Sequence, residues 1–328
     1  MKQILSIAML VMSAVAHGAP QETAWPVEGP DDTVAVAAAS LSGWYAAADT
    51  FEDRIEVRDI TGALRHVIEK TEIESLLPWM TLAGGPDGPN ALAWSDSGRL
   101  LFVLVHDNAP SGDGMPNDAV LRFVPSTGEL SVFARLDAFE AGSTWSWLSA
   151  VHHHGRLYVG TSSGGVLAYN AGRNDAVGVP IGSVALPDFG PVRGLTVDRA
   201  TDTIYASSQF NLYRSSLTSW PPSWTFVGAI ANMRSIAWCD HFGGPSQDGL
   251  YAVQHFAGIG GAVIRVPTAS ARGEAPFQSI VYTALPQETH DIAATACGGM
   301  LFGVDDGLER RLAARGRGRY TDHGATDS

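Results

Sequence analysis

The sequence predicts an all-β fold: a six-bladed β-propeller of four-stranded antiparallel blades, its ring closed by an N-terminal strand. Three observations carry that expectation. An aliphatic residue or Trp followed by an aromatic recurs at Trp44-Tyr45, Leu101-Phe102, Leu157-Tyr158, Ile204-Tyr205, Leu250-Tyr251 and Leu301-Phe302, with successive aromatics 57, 56, 47, 46 and 51 residues apart. Ten residues before four of these aromatics stands an aliphatic residue of a preceding strand: Leu92, Leu148, Leu195 and Ile292. Turn-forming residues fill the intervals, as in Ser95-Asp96-Ser97-Gly98, His153-His154-Gly155, Arg199-Ala200-Thr201-Asp202 and Gly298-Gly299, so each unit opens with a β-hairpin.

The remaining strands follow in order. In the first unit Ala35 takes the place of the leading aliphatic residue. In the fifth the offset from Ile236 to Tyr251 is 15, and the residues from Cys239 to Pro245 supply the excess. Third strands are read at Ile55-Val57, Leu121-Phe123, Leu167-Tyr169, Leu212-Arg214 and Ile264-Val266. Fourth strands are read at Leu130-Phe133, Val184-Leu186, Thr225-Val227 and Ile280-Tyr282. They are short, alternating and rich in Thr, Val and Tyr, as half-buried antiparallel strands are. The last unit has Leu308-Glu309-Arg310 and then an Arg/Gly-rich run, so Thr23-Ala24-Trp25-Pro26-Val27 is expected to close the ring; an open ring would expose two sheet edges.

The ends of the chain read differently. Lys2, the apolar run Ile4 to Val15 and the small residues of Ala16-His17-Gly18 form a secretory signal pattern. Residues 1–18 are therefore expected to be a signal peptide, 19–314 the propeller and 315–328 a polar tail, in a secreted or periplasmic protein. The apolar run is too short for a membrane span. A net charge of -13 argues against a nucleic-acid partner. A small molecule or carbohydrate is the expected partner, and a monomer the expected state. Cys239 and Cys297 are the two cysteines; in an oxidising compartment they suggest one disulfide between neighbouring first-hairpin turns.

The register places two rings of polar residues at one end of the central channel. The first ring, at the starts of the first strands, is Thr33, Asn90, Ser146, Arg193, Arg234 and His290. The second, at the ends of the second strands, is Asp49, His106, Ser162, Gln209, His255 and Asp306. Arg193 and Arg234 suit a carboxylate or phosphate. His106, His255 and His290 are candidate acid–base groups near neutral pH. Trp145 is placed to stack on a sugar ring. Asp291, Asp305 and Asp306 compete as ion-pair partners for the arginines. The loop from Asp107 to Asp118 lies at this end and fits no EF-hand spacing. His152-His153-His154 falls at the opposite end, and adjacent turn residues are not expected to converge on one ion.

Some segments resemble a known group. Ala48 to Val57 is similar to the NHL repeat consensus, Gly88-Pro89-Asn90-Ala91-Leu92-Ala93 to the blade opening of gluconolactonase-like enzymes, and Glu28-Gly29-Pro30 to their first blade. The chain thus resembles six-bladed propellers of the NHL, gluconolactonase (senescence-marker) and strictosidine-synthase-like type. The resemblance implies a divalent cation, usually calcium, on acidic and amide side chains at the starts of inner strands. Asn90 matches such a position and Glu28 is a weak second candidate; elsewhere Ser146, Arg193, Arg234 and His290 stand instead. Three functions follow as expectations: a binder of an anionic small molecule or uronate-type carbohydrate with lyase or hydrolase chemistry, a metal-dependent lactonase-like hydrolase, or a non-enzymatic interaction propeller.

Overall fold

The computed structural model describes residues 23–27, 33–39, 42–49, 52–59, 61–82, 88–107, 118–135, 147–172, 176–239, 249–256, 260–266, 279–285, 289–294, 299–304 and 307–312. The chain is an all-β propeller of four-stranded antiparallel blades. After β1 (Thr23–Val27) comes the sheet β2 (Thr33–Ala38), β3 (Tyr45–Asp49), β4 (Arg54–Arg58) and β5 (Leu64–Ile68). The next sheet is β6 (Gly88–Trp94), β7 (Leu101–His106), β8 (Asp118–Val124) and β9 (Glu129–Arg135). Then follow β10 (Trp147–His153), β11 (Arg156–Thr161), β12 (Gly165–Asn170) and β13 (Val179–Ala185). The fourth is β14 (Gly194–Asp198), β15 (Thr203–Ser207), β16 (Asn211–Ser216) and β17 (Thr225–Ala229). The fifth is β18 (Met233–Cys239), β19 (Gly249–Phe256), β20 (Gly260–Val266) and β21 (Ser279–Leu285). The last joins β22 (Thr289–Ala294), β23 (Gly299–Val304) and β24 (Gly307–Leu312) to β1, with Thr23 opposite Leu312 and Val27 opposite Leu308.

The aromatics of the repeat explain why these strands stack. Tyr45, Phe102, Tyr158, Tyr205, Tyr251 and Phe302 are all buried. Each sits on a second strand, covered by a neighbouring sheet. The hydrophobic core divides accordingly into clusters between successive sheets. Leu101, Val103 and Val105 meet Ile55 and Val57, and Phe102 and Leu104 meet Leu157 and Val159. Val36, Tyr45 and Ala47 meet Ala293 and Leu301, joining the first sheet to the last. Burying an aromatic of this kind is worth about 1.5–3 kcal/mol in transfer alone.

Two elements escaped the sequence pattern. β5 has mostly exposed or half-exposed positions, because an outermost strand has little core to face and shows weak alternation. The short helix α1 (Lys70–Leu76) begins with a reciprocal capping box between Glu69 and Glu72. It buries Ile73 in the cluster between the first two sheets. Cys239 is buried at the end of β18; Cys297 lies outside the described residues, and with it the expected disulfide.

Close approach of sheets near the axis sets a steric limit. A Cβ at Gly194, the first residue of β14, would lie 2.7 Å from the Ile236 backbone nitrogen of β18. Backbone cannot yield as a side-chain tip can. Gly194→Ala is expected to destabilise the protein by about 1–3 kcal/mol, read as a lower denaturant midpoint with an unchanged slope; an unchanged midpoint would refute the constraint.

Candidate functional site

The starts of the first strands share a local device. In five of the six sheets the pairing of first and second strand shifts register near its start, between Thr33 and Ala35, Pro89 and Ala91, Trp147 and Ser149, Met233 and Ser235, and Thr289 and Asp291. Each shift is a β-bulge, which bends the strand and re-aims a side chain. The skipped residues include Asn90, Arg234 and His290, three members of the expected first ring. The fourth sheet has no bulge there; Arg193 precedes β14 directly and donates its backbone N–H to Ser207 at 2.7 Å. In the first and third sheets the skipped residues are Val34 and Leu148; Thr33 opens β2, opposite Asp49. Counting back from an aligned aliphatic residue misses the extra residue that a bulge inserts.

The arginines lie where charge is hard to satisfy. Arg193 is half-buried, and its Nε has no hydrogen-bond partner among the described residues. Burial, and then the nearby Arg234 guanidinium, lower its pKa. No ion pair joins either arginine to a described residue. The expected pairing with Asp291 is not formed. That carboxylate instead accepts from Ser235 Oγ at 2.5 Å, Val36 N–H at 2.9 Å and Ile292 N–H at 2.8 Å. Burial raises its pKa against the pull of these donors. Its three donors come from the first, fifth and last sheets, so Asp291 serves the junction of the sheets. Asp305 and Asp306 lie outside the described residues.

On the second sheet, His106 is buried at the end of β7 and Asp118 at the start of β8, directly opposite in the strand register. His106 Nδ1 lies 2.6 Å from Asp118 Oδ1. Burial raises the Asp118 carboxyl to about 6; His106 opposes the rise and the Asp107 charge adds to it. Asp118 Oδ2, Asn90 Oδ1 and Ser207 Oγ, all near this end of their strands, are buried without hydrogen-bond partners. Unsatisfied buried polar atoms are rare and costly, and several of those among the described residues stand at this end. Asp49 is buried at the end of β3, its Oδ1 accepting from Glu52 N–H at 3.0 Å. Gln209 is exposed in the turn after β15. Glu28, Trp145, Ser146 and Asp306 lie outside the described residues, and of the His255 side chain in β19 nothing is described. Asp118 escaped the ring count because it opens a third strand; its signal was its place at the far end of the Asp107–Asp118 loop, which returns it to His106.

The axis itself encloses a cavity of about 380 Å³ lined by the first strands of all six sheets, reaching His152 and Arg199 at the other end. There a second polar cluster forms from three first-hairpin turns. His153 Nε2 and His154 Nε2 lie 2.8 Å and 3.0 Å from Asp202 Oδ1, and His154 N–H donates to Asp96 Oδ2 at 2.6 Å. Arg199 Nη1 pairs with Asp96 Oδ1. Burial pushes Asp96 upward, but His152, His153 and Arg199 hold it well below the usual carboxylate range. Two of the three consecutive histidines thus meet on one carboxylate, that of Asp202. His154 takes a left-handed conformation, φ 49°, which breaks strand alternation and leaves its ring centroid 3.9 Å from that of His153.

No protein-family model matches the chain, and no curated protein matches its sequence. Solved structures do resemble it. A chain of a mitotic checkpoint complex superposes with a TM-score of 0.58 at 11% identity, covering 91% of this chain and 96% of that one. The RRP9 WD40 repeats give 0.55 at 11% identity, covering 90% and 99%. A chain of a nidogen/laminin complex gives 0.50 at 13% identity, covering 76% and 81%. At such identities the likeness is one of fold, the β-propeller, and function has to be argued from the site. No helix among the described residues is long and apolar enough to cross a membrane.

Asp118 makes a testable contribution to stability. Its folded pKa, about 6, lies above the ordinary aspartate value of 3.8. The folded state therefore holds this proton more tightly, which stabilises below pH ~4 and is lost as pH rises through ~6, by at most about 3 kcal/mol. Denaturant titrations from pH 4 to 7 should show a fall in wild-type stability that is reduced in Asp118→Asn; identical slopes would refute the assignment.

Proposed function

We propose that this chain is a ligand-binding propeller, six-bladed and closed by β1, that takes a carboxylate- or phosphate-bearing small molecule at the channel end where the first strands begin. A uronate-type carbohydrate fits that class. The observation that carries the reading is Arg193. A half-buried guanidinium with an unpartnered Nε, beside a second guanidinium, has no compensating anion among the described residues. Arg234, exposed on the neighbouring sheet, adds a second fork for the same anion. His290, at the bulge of β22, borders them in the ring order. Two guanidiniums at this end disfavour a divalent cation there, which sets the lactonase-like metal site at Asn90 and Glu28 below the anion site.

The His106–Asp118 pair supplies what a lyase or hydrolase needs in addition. A carboxyl with a pKa of about 6 against an imidazole is a proton-transfer couple matched to mildly acidic or neutral conditions. The N-terminal signal pattern supports action outside the cytoplasm, in the periplasm or secreted.

A docking function is favoured by a different observation. Phe189, between β13 and β14, and Phe210, between β15 and β16, are 71% and 52% exposed at this same end. Exposed aromatics of that size are frequent at interaction surfaces.

Calorimetric titration with galacturonate, glucuronate and inorganic phosphate tests the reading. Arg193→Ala and Arg234→Ala are each expected to weaken binding about 10–100-fold, the loss of one charge-assisted hydrogen bond, with folding retained for the exposed Arg234. Binding unaffected by Arg234→Ala would sink the anion site. Loss of a protein partner on Phe189→Ser with Phe210→Ser, with no anion binding, would favour docking.

A further inference from the structure

The cluster at the opposite end of the channel has the donors of a metal site. We propose that Asp96, His153 and His154 bind one divalent transition-metal ion of the zinc class, with Asp202 and Arg199 orienting the ligands. This inference is independent of the anion site. Each of the three residues offers a ligand atom within 4.8 Å of the other two. Tetrahedral zinc bonds of about 2.0–2.1 Å place donors about 3.3 Å apart, so closing the cluster onto an ion requires side-chain shifts of the order of 1 Å. Two imidazoles with one carboxylate select zinc-like ions over calcium or magnesium, which take oxygen ligands.

The hydrogen bonds already sort the three consecutive histidines into roles. His152 is satisfied: its Nδ1 accepts from Asp96 N–H at 3.2 Å and its Nε2–H donates to Ala171 O at 3.0 Å. It has no nitrogen left for an ion. His153 and His154 both direct Nε2 to Asp202 Oδ1, which leaves Nδ1 as the ligating atom of each. A carboxylate on the far nitrogen is the arrangement that fixes tautomer and ring orientation in metal-bound histidine.

A second observation points at the same spot. His153 is 3% exposed on its side chain, yet its Nδ1 has no hydrogen-bond partner among the described residues. That atom faces Asp96 Oδ1 at 3.8 Å, too long for a hydrogen bond and near the spacing of two ligands on one ion. Asp96 is positioned by Arg199 and by the His154 N–H. His154 is 70% exposed on its side chain, so the ion has an open approach from solvent. Because Asp96, the histidines and Asp202 belong to turns of three different sheets, a bound ion would tie those sheets together at the channel mouth beside His152 and Arg199.

The test uses the full chain without a polyhistidine tag, stripped of metal by chelator. Titration with Zn²⁺ is expected to saturate at one ion per chain, and Co²⁺ to give visible d–d absorption displaced by Zn²⁺. His154→Ala, at an exposed position, should abolish saturable binding. Asp202→Asn should weaken it about 10–100-fold, as loss of an orienting carboxylate does. Asp96→Asn is to be read only with an unchanged denaturant midpoint. Absence of saturable Zn²⁺ binding, or wild-type affinity in His154→Ala, would overturn the proposal and leave the cluster an ion-pair network between blades.

Discussion

Every sheet in this fold has to bury both faces against its neighbours, and the whole arrangement depends on that packing. An antiparallel sheet can leave one face to water, but these sheets do not. Here the buried aromatics from Tyr45 to Phe302 require a cover on each side, and the cover is the adjacent sheet. Repetition of that contact brings the last cluster, Ala293 and Leu301, back onto Val36 and Tyr45 of the first sheet. The inner strands then crowd toward the axis. Gly194 sits where even a methyl group would meet the backbone of the next sheet.

The polar clusters stand at the two ends of the inner strands. At one end the strands begin with bulges, and bulges turn Asn90, Arg234 and His290 out of the regular alternation. Polar atoms collect there in excess of their partners, with Arg193 beside Arg234 on one side and the His106–Asp118 pair on the other. At the far end the turns are tight, and left-handed residues such as His154 and Asp202 point side chains of separate sheets at one another. The two clusters differ in chemistry because the two kinds of loop differ in geometry.

The polar rings illustrate how far a repeat can be read. A fixed offset places Asn90, Arg234 and His290 near the starts of their first strands, and Arg193 just before its own. The bulges themselves were not legible, since an inserted residue leaves no mark in a pattern of period two. Asp118 was invisible to the offset, as it belongs to a third strand reached through a loop. Asp291 was expected against the arginines and instead holds Ser235 and two backbone N–H groups; partner choice among nearby charges depends on distances of a few ångströms that spacing does not encode.

What the sequence determined by itself is the repeat: its strand order, its buried aromatics, and which residues stand at which end of the channel. Alternation and turn chemistry are local, so they can be read from neighbouring residues. Only the tertiary structure decided which of those residues meet. The three consecutive histidines show the difference most plainly. On the chain they are adjacent; in the fold one is satisfied by Asp96 N–H and Ala171 O, while the other two converge with Asp96 and Asp202. That convergence arises from turns 40 to 60 residues apart, brought together by sheet packing about a common axis.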